Sequence, residues 1–77
     1  MTQREFLNQL ENIMELAPGT ILGTESLADL PKWDSLAQLG YLAMVDQELG
    51  KQVAAIDLTR ANTVKDLVGL AGPGIQG

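Results

Sequence analysis

The apolar residues of the first segment fall at Phe6, Leu7, Leu10, Ile13 and Met14, the i, i+1, i+4, i+7, i+8 spacing that gathers side chains on one face of a helix. Thr2 and Glu5 stand at capping-box spacing ahead of that face and Pro18-Gly19 ends it, so a first helix is predicted over residues 2–16. The pattern is a strong constraint because the chain has 77 residues and no cysteine, which leaves neither a disulfide nor a thiolate metal site to staple a small domain. A domain of this size buries roughly 60% of the surface its unfolded chain exposes, and helix packing alone must hold it.

Asp34 or Ser35 can cap a second helix that stops at Gly50. On it Leu39, Leu42, Val45 and Leu49 form one apolar stripe, the expected core face. Leu36, Ala37, Gly40, Ala43 and Met44 form a second, nearly uncharged stripe, and no lysine or arginine occurs between Lys32 and Lys51. A domain this small has few elements with which to bury a helix twice, so the second stripe, Met44 included, is expected to face a partner. Asp57 can cap a short turn through Leu58 and Ala61, after a link carrying Val53 and Ile56. Asn62 or Thr63 then opens a last helix, with Val64, Leu67, Val68 and Ala71 inward, and Asp66 stands three residues after Thr63 as in a capping box. Between the first two helices, residues 18–32 match neither the helical nor the strand period. Ile21, Leu22, Leu27 and Leu30 suit a structured loop that lies across the helices. The sequence therefore predicts an all-α bundle of three main helices plus one short one, as a single domain over residues 1–71 followed by a flexible tail over residues 72–77.

Ten acidic residues against five basic ones give a formal charge of −5, which repels phosphate backbones and anionic lipid headgroups. Neither nucleic acid nor membrane is an expected partner. No apolar leader follows Met1-Thr-Gln-Arg-Glu5, and no apolar run approaches the roughly 20 residues that cross a bilayer, so a cytoplasmic monomer is expected. The absence of histidine and cysteine removes the imidazole base, the thiolate and the soft metal ligands, and no metal site is expected. Glu11 and Glu15, at i, i+4, read as a solvated outer face of the first helix and not as an acid–base pair. Gly19 and Gly23 are not followed by Lys-Ser or Lys-Thr, so no phosphate-binding loop is present.

Ser35, one of two serines, remains. At a helix N-terminus its hydroxyl would be exposed and held rigidly, and a phosphate esterified there would meet unpaired amides and the positive end of the helix dipole. Nothing in the sequence could deprotonate it for unaided catalysis. Taken alone, Asp34 and Ser35 are equally ordinary helix caps.

Asp34-Ser35-Leu36, "DSL", opening an apolar helix in an acidic domain of this length with a long first loop, resembles the acyl carrier proteins. The likeness runs from the first helix through "NTVKDLVGL", and residues 34–64 match the spacing of a bacterial fatty-acid carrier without a gap. It implies that Ser35 receives a 4'-phosphopantetheine arm from coenzyme A, transferred by a phosphopantetheinyl transferase. The arm's thiol would carry acyl groups as thioesters between loading and processing enzymes of ketosynthase, acyltransferase or ligase type, and the domain itself would catalyse nothing. By position, the family's docking surface corresponds to Asp34, Leu36, Gly40, Met44, Gln47 and Glu48, with Asp46 nearby.

Two departures bear on that expectation. Fatty-acid carriers make this helix strongly acidic, whereas Ala37, Gly40 and Gln47 stand at matching positions here, so apolar contact through Leu36, Ala43 and Met44 should contribute more. Trp33 directly precedes the motif, either packing the loop end onto the bundle or serving partner recognition. "WDSL" with this diluted acidity looks like a free-standing carrier of polyketide or other specialised biosynthesis; a fatty-acid carrier and an aminoacyl or D-alanyl carrier are the alternatives. The paired glycines of peptidyl carriers are replaced by Lys32-Trp33. Leu39, Leu42, Val45, Leu49, Val53 and Val64 could part to shelter an acyl chain or form an ordinary core. A reading of a different class is a helical adaptor that binds a partner non-covalently through the second-helix stripe.

Overall fold

The computed structural model describes residues 1–72, 74 and 75. It is an all-α bundle: α1 (Gln3–Ile13), α2 (Ser35–Leu49), the short α3 (Ala55–Thr59) and α4 (Val64–Ala71), with a single 3-10 turn (Leu27–Asp29) in the first connection. None of these helices is long and apolar enough to cross a membrane, among the described residues.

The start of α1 follows the expected capping box. Thr2 Oγ1 accepts from the Glu5 amide, and Glu5 Oε1 accepts from the Thr2 amide. Phe6, Leu7, Leu10 and Met14 are buried and Ile13 is half-buried, as the periodicity requires. The helix stops at Ile13, short of Leu16, because Glu15 takes a left-handed φ of 59° that an α-helix cannot continue through.

Glu11 corrects the expectation of a solvated outer face, since it is 1% exposed. Its Oε2 accepts from the Ile21 amide at 2.8 Å and from Arg4 Nη2 at 3.2 Å, and Arg4 Nη2 also donates to the Ile21 carbonyl at 3.2 Å. The pair therefore holds both backbone groups of one loop residue. This clamp, with Ile21 and Leu27 buried and Leu30 half-buried, makes residues 14–34 a structured loop. Leu22 is the exception at 71% exposed: the Glu25 carboxylate gathers the Leu22 and Gly23 amides into a local turn, and the leucine side chain is left outside. The loop is also stitched to the α3–α4 link. Leu27 N donates to Asn62 O at 2.9 Å and Val64 N to Glu25 O at 3.0 Å, around the antiparallel bridge between Ser26 and Thr63.

Helix α2 is turned by roughly 100°, one residue step, from its expected setting. Ala37, Tyr41, Met44 and Val45 are buried, Leu42 and Leu49 are half-buried, and Leu39 is 64% exposed. Tyr41 is the cause. Its ring sits edge-on to Phe6 at 6.1 Å and to Trp33 at 6.0 Å, and its hydroxyl donates to the Leu67 carbonyl of α4 at 2.6 Å. Once so large a side chain claims the interior, Met44 on the same side follows it inward, and the outward Met44 of the sequence reading is overturned. Burial pushes the Tyr41 phenol well above its ordinary pKa, so it stays a protonated donor. Helix α2 ends where expected, with Gly50 in the left-handed conformation at φ 63°.

Helix α3 begins at Ala55 and not at Asp57, without a side-chain cap, and contributes Leu58 to the core. Helix α4 opens on the expected capping box of Thr63 and Asp66; Val64, Leu67 and Ala71 are buried and Val68 is half-buried. Of the residues expected as a flexible tail, 73, 76 and 77 lie outside the described residues, and Ile75 packs half-buried against the core.

Candidate functional site

The segment around Ser35 is fixed from both sides. Before it, the Trp33 amide donates to the Leu30 carbonyl and the Asp34 amide to the Lys32 carbonyl, each at 3.0 Å, while the half-buried Trp33 ring leans on Tyr41. Trp33 thus packs the loop end onto the bundle. After it, Asp34 caps α2: its Oδ1 accepts from the Ala37 amide at 2.9 Å and its carbonyl from the Gln38 amide at 2.9 Å. Ser35 is the first helical residue and is exposed.

With the Ala37 and Gln38 amides taken by Asp34, the amides of Ser35 and Leu36 have no partner among the described residues. They are the free donors of the helix start, where the helix dipole favours negative charge. Beside them a cleft of about 110 Å³ is lined by Ile13, Met14, Glu15, Lys32, Asp34, Leu36 and Ala37, with the Lys32 ammonium three residues ahead of the serine. An exposed serine and two unpaired amides at a helix start suit a phosphodiester. They supply no base that could make the serine a nucleophile unaided.

The expected docking residues are divided by the structure. Asp34, Leu36, Gln47 and Glu48 are exposed, as is Asp46. Met44 is buried, and Gly40 is half-buried against α1, where an added Cβ would stand 3.0 Å from Ile13 Cγ2. Gly40 therefore serves the close approach of two helices and is not free for a partner. Leu39, missed as a surface residue, stands at i+3 from Leu36 on the same outward side, and the two are 64% and 77% exposed. The signal that could have found it is the buried set itself: Ala37, Tyr41, Met44 and Val45 are spaced i, i+4, i+7, i+8, a regular helical face with the largest side chain at its centre.

A depression of about 740 Å³ elsewhere on the bundle shares no residue with this site. It is a wide trough over α3 and α4 whose charged rim balances Asp57 and Asp66 against Arg60 and Lys65, with no preference of sign. No protein-family model matches the chain, and none of the curated proteins or solved structures matches it.

Proposed function

We propose that the chain is an acyl carrier protein that bears a 4'-phosphopantetheine arm on Ser35 and is not itself an enzyme. The observation that carries the reading is the exposed Ser35 hydroxyl on the first residue of α2, beside two unpaired amides and behind a cap supplied by a different residue. Because Asp34 does the capping, Ser35 is free to be esterified without unseating the helix. The amides of Ser35 and Leu36 would hold the phosphodiester. When attached, the arm supplies the thiol that this cysteine-free chain lacks. Attachment forms a bond from Ser35 Oγ to phosphorus and breaks the one to the nucleotide half of coenzyme A, with the serine proton passing to a base on the transferase.

The partners on this reading are the transferase and the enzymes that load and process the acyl group. They would meet Leu36 and Leu39, with the exposed Asp34, Asp46 and Gln47 on the same outward side of α2. Three acidic residues and no base lie within residues 33–50, so a socket with an apolar floor and a basic edge is complementary. The diluted acidity of α2 and the Trp33-Asp34-Ser35-Leu36 run favour a free-standing carrier of polyketide or other specialised biosynthesis. Its place would be the cytoplasm.

The exposed Leu36 and Leu39 pair also favours a second reading, a non-covalent helical adaptor. Incubation with coenzyme A, magnesium and a broad-specificity transferase, followed by intact mass measurement, separates the two. The carrier is expected to gain one phosphopantetheine, and Ser35→Ala none. An unchanged mass for the unaltered protein would leave the adaptor standing.

A further inference from the structure

We infer that this carrier holds its cargo outside the bundle, that the cargo is of the short acyl class which tolerates water, and that Tyr41 is the specificity-determining residue that keeps longer chains out. The inference rests on the carrier reading and adds the substrate class to it.

An apolar chain tethered at Ser35 gains from entering the protein only if the inner side of α2 can receive it. That side is occupied. Ala37 and Tyr41 follow Ser35 on successive turns, and Tyr41 is fully buried with its ring held between Phe6 and Trp33. Moving the ring would part the phenol from the Leu67 carbonyl, at 2.6 Å, and leave a polar group unpaired in an apolar interior. It would also disturb Trp33, which anchors the very segment that presents Ser35.

Of the small residues that could have opened another route, Ala61 is half-buried at the trough over α3 and α4, which is wide open and encloses nothing. Ala43 and Ala54 are exposed, and the space at Gly40 is taken by Ile13. Leu39, which would have lined an interior tunnel in the setting first expected of α2, lies 64% exposed on the surface. Val45, Val64 and Leu67 are fully buried in the same core cluster as Tyr41, and Leu67 also accepts from its hydroxyl. A long chain therefore finds no shelter that a short one lacks, and the bundle offers no reason to carry it.

Two routes of loading test this. In the first, the transferase attaches the arm from acetyl- or octanoyl-coenzyme A, and the mass gain reports on the carrier reading. In the second, Ser35→Cys provides the chain's one thiol, which is alkylated with a short or an octyl-bearing iodoacetamide, so that a chain is tethered without any transferase. The long and short forms are expected to melt within about 1 °C of each other, with amide shifts confined to the start of α2. In Tyr41→Ala the octyl chain is expected to raise the melting temperature by roughly 5 °C over the short form, because it fills the space the ring vacates. A comparable rise with Tyr41 intact, or shifts at the amides of Val64 and Leu67, would overturn the inference whether or not Tyr41→Ala folds. No mass gain by the first route would remove the carrier reading and the cargo with it, however the tethered forms melt.

Discussion

Helices α1 and α2 pack against each other through Gly40 and Ile13, yet they are built on opposite plans. Helix α1 keeps its apolar residues on one side, so the side it buries is written into its own composition. Helix α2 is apolar nearly all round, with Leu36 and Leu39 as greasy as Met44 and Val45, and its neighbours decide which side is covered. The difference teaches that segregation of polarity fixes a helix's rotation locally, whereas an unsegregated helix waits for its bulkiest side chain to find a partner. Here that side chain is Tyr41, with Phe6 on one side and Trp33 on the other.

The sharpest way to break the comparison is to charge the two sides of α2 in turn. Met44→Glu puts a carboxylate at a 6% exposed position and is expected to cost about 3–5 kcal/mol, with loss of helicity. Leu39→Glu, at a 64% exposed position, should stay within about 0.5 kcal/mol. Urea denaturation of both variants measures the contrast, and a larger cost at Leu39 than at Met44 would return α2 to the setting that its leucine stripe suggests.

A smaller effect tests the one place where α1 breaks its own plan. Glu11→Ala leaves the Ile21 amide without its acceptor, and a loss of about 1–3 kcal/mol is expected. The Arg4 side chain, 47% exposed, can turn to water and adds little. A change under about 0.5 kcal/mol would mean that Ile21 and Leu27 seat the loop without the carboxylate.

The smallest effect concerns two helix starts and one loop turn. The Thr2 amide holds the Glu5 carboxyl below its ordinary pKa, the Asn62 amide does the same for Asp66, and the Leu22 amide for Glu25. Because these pKa values are depressed in the folded state, the stability they contribute is present above the unfolded values of about 4 and is lost as pH falls through the folded ones. The urea midpoint should therefore decline below about pH 4, less steeply in Glu5→Gln, which removes the titrating partner of the α1 cap. A decline of unchanged slope would assign the acid sensitivity to other groups.

What the sequence made legible was punctuation. The pairs Thr2 with Glu5 and Thr63 with Asp66, the Asp34 cap and the Gly50 stop are local hydrogen-bonding devices, complete within four residues or set by a single backbone torsion, and each stands where expected. Ser35, exposed at a helix start, belongs to the same local order. Rotation and burial were less legible because they depend on distant partners. Glu11 looked solvated beside Glu15, since its true partners are Arg4, two turns back, and a loop amide ten residues on. Leu39 and Met44 exchanged roles because the Tyr41 hydroxyl answers to Leu67, twenty-six residues away. Leu22 turned outward because of a carboxylate turn that apolar periodicity cannot record.

The chain has one phenylalanine, one tyrosine and one tryptophan, and all three stand in a single row from α1 through α2 to the residue two before Ser35. Its entire near-ultraviolet spectrum therefore originates along that row. Light absorbed or emitted by the indole samples the seam between the hydrophobic interior and the start of α2, with no background from any other ring. Nature has left this small protein with a built-in optical gauge whose needle sits beside the serine and whose pivot is the phenol.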